Sequence, residues 1–290
     1  MKSLLFSIII IEITFHETML EEEDYYSEIN NSLKGNDLLI ALNKLNNKKR
    51  TSTIGYKGMR QFLAFSDIDP DGSGKIIGFY DNKKVGPEWD EGKTWNREHV
   101  WPKARGGSLI ENDAHVIRPT STSTNTGRGS KGFSDRSFDP GQFVEFYRGV
   151  SARIIFYSAI CNTSLKLIDD PLNYDGGEPK NSMGALSDML LWNLKYLPND
   201  TSFTKENDLA RRTEINRNEQ IQKAPGGQGN RNPFIDHPEY ACRIWGNTNE
   251  VTKAICKNQD NPNSDISFEL ILVIIIIEII SLISLIFIFL

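Results

Sequence analysis

The last stretch of the chain, Leu270–Leu290, holds a single charge, Glu278, and only two other polar groups, Ser281 and Ser284. A bilayer core needs about 20 such residues. The run is therefore expected as a tail span, or as the removable tail of a lipid-anchor signal with Asn263-Ser264-Asp265 as candidate attachment residues. Glu278 would be costly in lipid unless it is protonated, paired or removed with the tail. At the other end, Lys2 precedes an apolar run from Leu4 to Phe15 broken by Ser7, Glu12 and Thr14, which resembles a signal peptide over residues 1–19. The core must then be built from residues 20–257, followed by a polar stalk at 258–269 and the tail at 270–290. These features predict a protein that is secreted, or tethered at the cell surface through a C-terminal membrane tail.

Nothing between the ends suggests a second domain, since no repeat or convincing linker interrupts residues 20–257. Three cysteines, Cys161, Cys242 and Cys256, exclude a dense disulfide scaffold, and no C-x-x-C pair points to structural zinc. An exported chain can carry one bridge, and Cys242 with Cys256 is the preferred pair because they are close in sequence. Sequons at Asn30, Asn162 and Asn199 fit an exported protein.

The net charge of −5 argues against coating nucleic acid by overall basicity. Locally the balance reverses. Between Lys93 and Arg136, eight cations (Lys93, Arg97, Lys103, Arg105, Arg118, Arg128, Lys131, Arg136) face four carboxylates (Glu98, Glu111, Asp113, Asp135). A basic stripe on an acidic protein suggests a focused polyanion site.

Hydrophobic periodicity supplies the scaffold. Asn36-Asp37 before Leu38, Leu39, Ile40, Leu42 and Leu45 predicts a capped helix. Ile76, Ile77, Phe79 and Tyr80 predict a strand over 74–80, and Thr94–Trp101 and Ala114–Ile117 two more. Residues 120–131 read as a loop or a capped short helix. Phe143, Phe146, Val150, Ile154, Tyr157 and Ala159 predict a helix over 142–160 with one buried stripe, and two further helices are expected over 186–197 and 205–222. Ala224–Gly229 reads as a breaker. Asp67, Asp69 and Asp71 imitate the opening of a calcium loop, but Pro70 interrupts it and Gly78 stands where the bidentate Glu belongs, so a turn is expected.

The densest chemistry is Trp95-Asn96-Arg97-Glu98-His99-Val100-Trp101-Pro102, then Asn112-Asp113-Ala114-His115-Val116-Ile117-Arg118-Pro119, then Asn125. Phosphodiester hydrolysis needs a base for water, a hard cation or other charge for the phosphate, and donors for its oxygens. This segment has a candidate for each. No H-E-x-x-H, G-x-S-x-G or phosphate-cradling Gly-Lys-Ser/Thr pattern anchors a protease, esterase or NTPase reading.

These blocks, with Gly229-Asn230-Arg231-Asn232-Pro233-Phe234-Ile235-Asp236-His237-Pro238-Glu239 and Arg243-Ile244-Trp245, resemble the bacterial endonuclease I family. The resemblance implies an α+β single domain: a ββα-metal (His-Me finger) core on a mostly helical scaffold. It further implies an endonuclease, largely indifferent to sequence, that leaves 5′-phosphate and 3′-hydroxyl ends on DNA or RNA. His99 would be the general base, and Glu98 and Asn125 the protein ligands of Mg²⁺ or another hard divalent cation such as Mn²⁺ or Ca²⁺. Arg118 and Arg128 are candidates for gripping the phosphate, because a guanidinium can bind it bidentately. No organic cofactor is expected, and the chain is expected to act as a monomer. Adjacent residues on a strand face opposite ways, so the backbone should bend or the strand end at Glu98-His99. The rival reading is a catalytically silent surface module binding nucleic acid or protein on a retained nuclease scaffold.

Overall fold

One helix organises the packing. In the computed structural model, which describes residues 25–169 and 180–257, the helix Tyr147–Cys161 is buried at every position except Arg148 and Cys161. A helix buried all round needs partners on every side, and this one packs against six other elements. The expected one-sided stripe is therefore too narrow. The expected start at 142 is also early, because Asp139 caps a separate short turn at Pro140–Gln142 and Phe143 is left 46% exposed.

The helices are α1 (Gly35–Lys49), α2 (Gly55–Ser66), α3 (Thr122–Arg128), α4 (Tyr147–Cys161), α5 (Leu186–Lys195), α6 (Lys205–Lys223), α7 (Pro233–Asp236), α8 (Tyr240–Trp245) and α9 (Glu250–Lys257). α1 buries Leu38, Leu42 and Leu45 against its neighbours. The cap expected at Asn36-Asp37 is not used: Lys34 holds the cap position and Asp37 lies in the first turn, where its charge meets the positive end of the helix dipole. α2 has no counterpart among the expectations. Met59, Phe62, Leu63 and Ser66 bury a helical stripe, but Gly55 and Gly58 disguise the segment as turn.

Three two-stranded sheets complete an α+β architecture. Antiparallel β1 (Ile76–Ile77) pairs with β2 (Lys84–Val85), antiparallel β3 (Asn96–His99) with β4 (Ile117–Thr120), and parallel β5 (Lys166–Leu167) with β6 (Ser182–Met183). The strand expected over 74–80 is cut to two residues, because Gly78 N–H donates to the Lys83 carbonyl at 2.8 Å and Tyr80 takes a positive φ of 83°. The strand expected at 114–117 is shifted as well. Asp113 accepts from His115 N–H and winds Ala114–Val116 into a tight turn, so the extended run begins at Ile117.

One contiguous apolar cluster reaches from Tyr25 to Ile255. Cys242 and Cys256 are bridged with Cα atoms 5.4 Å apart, tying α8 to α9, and Cys161 is free. Among the described residues no helix is long and apolar enough to cross a membrane. The leader at 1–19, the stalk at 258–269 and the apolar tail at 270–290 all lie outside the described residues.

One carboxyl works against this fold near neutrality. Burial, and then the charge of Asp135, push Asp188 in the first turn of α5 up to about 6. Its folded pKa exceeds its unfolded value near ~3.9, so its contribution to stability is present in acid and is lost as pH rises through 6. Asp188→Asn keeps the neutral form and should raise the thermal midpoint at pH 7.5 by a few degrees, with no gain at pH 4. Melting curves at the two pH values test this, and an equal gain at both would refute it.

Candidate active site

β3, β4 and α3 form one unit. The strands pair Asn96 with Thr120, Arg97 with Pro119, Glu98 with Arg118 and His99 with Ile117. Ser121 then caps α3, its hydroxyl accepting from Thr124 N–H, which selects the short helix over the loop for residues 120–131. α3 is fastened to β3 by side chains. Arg128 donates to the His99 carbonyl at 2.9 Å and the Val100 carbonyl at 2.6 Å, and its Nη1 lies 3.2 Å from Glu98 Oε1. Asn125 Nδ2 donates to Asn96 Oδ1 at 2.7 Å.

The strand ladder ends at His99, one of the two outcomes expected for neighbouring side chains that must serve one site. Glu98 is 1% exposed. Its Oε1 accepts the Tyr80 hydroxyl at 2.8 Å. Burial raises its pKa, and Arg128 and the Tyr80 hydrogen bond offset that only in part.

His99 meets a different set of groups. Its Nε2 lies 3.2 Å from Glu111 Oε2, and its ring lies 5.0 Å from that of Tyr56. A carboxylate can only accept from Nε2–H, so Nδ1 is left as the lone-pair nitrogen. Burial lowers the His99 pKa against the raising hydrogen bond from Glu111. The neutral imidazole is thus the dominant form at neutral pH, the form a base requires.

The donor set suits a hard cation. Both partners of Glu98 occupy Oε1, and Asn125 spends its amide hydrogens on Asn96, which turns its Oδ1 away from that bond. A carboxylate and an amide oxygen are ligands that Mg²⁺ or Ca²⁺ accepts alongside water. Among the described residues no three His, Cys, Asp or Glu side chains cluster as a ready-made metal cage.

Arg118 and Arg128 lie inside the hairpin unit. Both are 1% exposed. Arg118 Nε donates to Asp67 Oδ1 at 2.8 Å and its guanidinium lies over Phe79, while Arg128 is spent on Glu98 and two carbonyls. Arg118 is held only through Nε, and its Nη1 and Nη2 are buried and meet no acceptor among the described residues; Arg128 spends both Nη atoms on the end of β3.

His115 also turns inward, with Nε2 3.2 Å from the Asn230 carbonyl and its ring 4.6 Å from Tyr157. Asp113 is equally internal: Arg50 pairs with it, and the Tyr157 hydroxyl donates to it at 2.7 Å. The second motif block is architectural. Asn230 donates to Asn46 and Tyr157, and Asn232 caps α7. The breaker at 224–229 is built into this network through Gln228, which accepts Ala114 N–H at 2.5 Å and donates to Asp113. Trp95 and Trp101 are 1% exposed packing anchors.

Sequence reasoning missed Tyr80, Glu111 and Asn96, which hold Glu98, His99 and Asn125 respectively. Glu111 stands two residues before Asp113, inside the quoted segment's flank, but it registered only as a negative charge in the basic stripe. Nothing local marks Tyr80 as the partner of Glu98.

The family profile described as Endonuclease I matches residues 35–139, which contain the whole of this hairpin and α3. An extracellular ribonuclease of Bacillus amyloliquefaciens is 31% identical over 249 residues, covering 78% of this chain and 79% of its own. An extracellular ribonuclease of Bacillus subtilis is 30% identical over 216 residues, covering 66% and 69%. No solved structure matches the chain. Similarity that spans most of both chains reaches beyond the hairpin and α3 to the scaffold, so this protein belongs to the endonuclease I family and is an endonuclease.

Proposed function

We propose that the chain is an exported, metal-dependent nuclease of low sequence selectivity that hydrolyses phosphodiesters at His99 on a ββα unit of the His-Me finger type. The observation that carries this is His99 at the end of β3: its Nε2 is held by Glu111, so Nδ1 is left to take a proton. Glu98 and Asn125 would hold a hard divalent cation, which when bound would neutralise phosphate charge and stabilise the leaving oxygen. His99 removes a proton from water as the water oxygen attacks phosphorus; the bond to the 3′ oxygen breaks, and 5′-phosphate and 3′-hydroxyl ends result. Arg128 acts from within, holding the Glu98 carboxylate and the carbonyls at the strand end, and Arg118 ties β4 to Asp67. Both position the unit, and Nη1 and Nη2 of Arg118, without an acceptor among the described residues, are the donors left for a phosphate oxygen.

The names of the two Bacillus relatives favour RNA as a substrate, while a site that addresses backbone phosphates would also accept DNA. Supercoiled plasmid and a single-stranded RNA of equal nucleotide content, each with Mg²⁺ and with excess chelator, separate the readings. Cleavage of both polymers that chelator abolishes is the expected result. Cleavage of RNA alone removes DNA from the assignment, chelator-insensitive cleavage removes the metal, and binding without cleavage supports a silent module.

A further inference from the structure

Most guanidiniums in this fold are neutralised by carboxylates: Arg118 and Arg217 by Asp67, Arg128 by Glu98, Arg148 by Asp139, Arg153 by Glu214 and Arg231 by Asp236. Two beside His99 are not. Arg97 lies over the ring of Tyr56, 3.7 Å from its centroid, and within 5.1 Å of that of Trp89. Arg60 on α2 lies 4.8 Å from the Trp89 centroid. The Tyr56 ring in turn is 5.0 Å from that of His99. Among the described residues neither guanidinium has a carboxylate partner. The only acceptor for Arg97 is the Tyr56 carbonyl, bound through Nη1. The Nε atoms of both are buried and meet no acceptor.

A guanidinium held over an aromatic ring keeps its full charge and a fixed plane. Arg97 is partly desolvated and is repelled by neighbouring Arg60, a cost that an anion bound between them would relieve. We propose that Arg97 and Arg60, stacked on Tyr56 and Trp89, form a subsite for backbone phosphates flanking the one cleaved at His99, and so hold a nucleic-acid strand over the base without reading its sequence. The proposal rests on the nuclease reading above. Stacked nucleobases fit less well, because Tyr56 and Trp89 already carry cations over their rings and Trp89 also packs edge-on against Trp95 at 5.0 Å.

Each phosphate contact with a single strand contributes about 0.7 to the slope of log affinity against log salt. Binding of a fluorescent single-stranded DNA oligonucleotide is measured by anisotropy in chelator across sodium chloride concentrations, using His99→Ala protein so that no strand is cut. Adding Arg60→Gln, and separately Arg97→Gln, should each raise Kd about five- to tenfold at low salt and flatten the slope by about 0.7. The loss should be equal for mixed, pyrimidine-only and purine-only oligonucleotides. Arg60→Lys should restore the slope. The Arg60 side chain makes no hydrogen bond to a backbone carbonyl among the described residues, so this pair of variants keeps the test valid if Arg97→Gln disturbs the hairpin. An unchanged slope in the Arg60 and Arg97 variants, no salt-dependent binding by the parent, or a loss confined to one base composition overturns the proposal. Cleavage by the wild-type chain is scored separately. An inactive chain whose slope still falls removes the catalytic reading and keeps the subsite, and an active chain with an unmoved slope does the reverse.

Discussion

His99→Ala should lower kcat for phosphodiester cleavage by about 10³-fold, within the range that a positioned general base contributes, while substrate affinity stays within about twofold. The split follows from geometry. His99 is 9% exposed and its ring is engaged by Glu111 and Tyr56, so the substitution deletes the proton acceptor while Arg97 and Arg60 keep their places. Glu111→Gln leaves the imidazole in place but replaces the carboxylate that fixes its tautomer, and an outer partner of this kind is worth about tenfold or more. The expected series is therefore wild type, then Glu111→Gln, then His99→Ala, measured as single-turnover rates on a plasmid or RNA substrate with Mg²⁺. A His99→Ala protein retaining more than about a tenth of the wild-type rate would assign the base elsewhere. Equal losses in rate and affinity would mean the ring is packing rather than chemistry.

The largest effect on stability belongs to a residue that does no chemistry. Asp67, fully buried after α2, accepts from Arg118 at 2.8 Å and from Arg217, and the neighbouring Ser66 hydroxyl donates to it at 2.7 Å. Arg217 also donates to the carbonyls of Ala114 and Ile117, so one carboxylate binds α2, α6 and the entry to β4. Asp67→Ala strands two buried guanidiniums, and removing one side of such an arrangement costs about 3–5 kcal/mol. The thermal midpoint should fall by roughly 10 °C. Glu28→Ala, which breaks an exposed pair with Lys48 at 2.6 Å, should leave the midpoint unchanged, since surface pairs contribute little. Calorimetric scans of both variants check the contrast, and comparable midpoints would show that the buried network carries no net stability. Because Arg118 stands opposite Glu98 in the β3–β4 register, the Asp67 variant should also lose activity at temperatures well below its melting point.

The two helices over 186–197 and 205–222 and the tethering of Cys242 to Cys256 were legible because their causes are local: helical patterning within one segment, and two thiols separated by 14 positions. Glu98, His99 and Asn125 were singled out for a different reason, since their order and types resemble the motif of the endonuclease I family. α2 was not legible, because glycines at its start hide a stripe that only packing rewards. The extent of the strands was not legible either; two-residue strands such as β1 are set by the turn at Gly78 and by tertiary pairing, and leave no alternation to read.

The fate of the arginines divides the two kinds of information most clearly. By itself the amino-acid order determined that a basic stripe, a carboxylate, an imidazole and an amide lie on one hairpin and helix, because residue types and spacing within about thirty positions survive any packing. Only the tertiary structure decided that Arg118 and Arg128 are buried beside Asp67 and Glu98 while Arg97 and Arg60 lie over aromatic rings with no carboxylate partner among the described residues. A guanidinium goes where its charge is best compensated, and Asp67, Glu98, Tyr56 and Trp89 are brought to those cations by long-range contacts that no local pattern encodes.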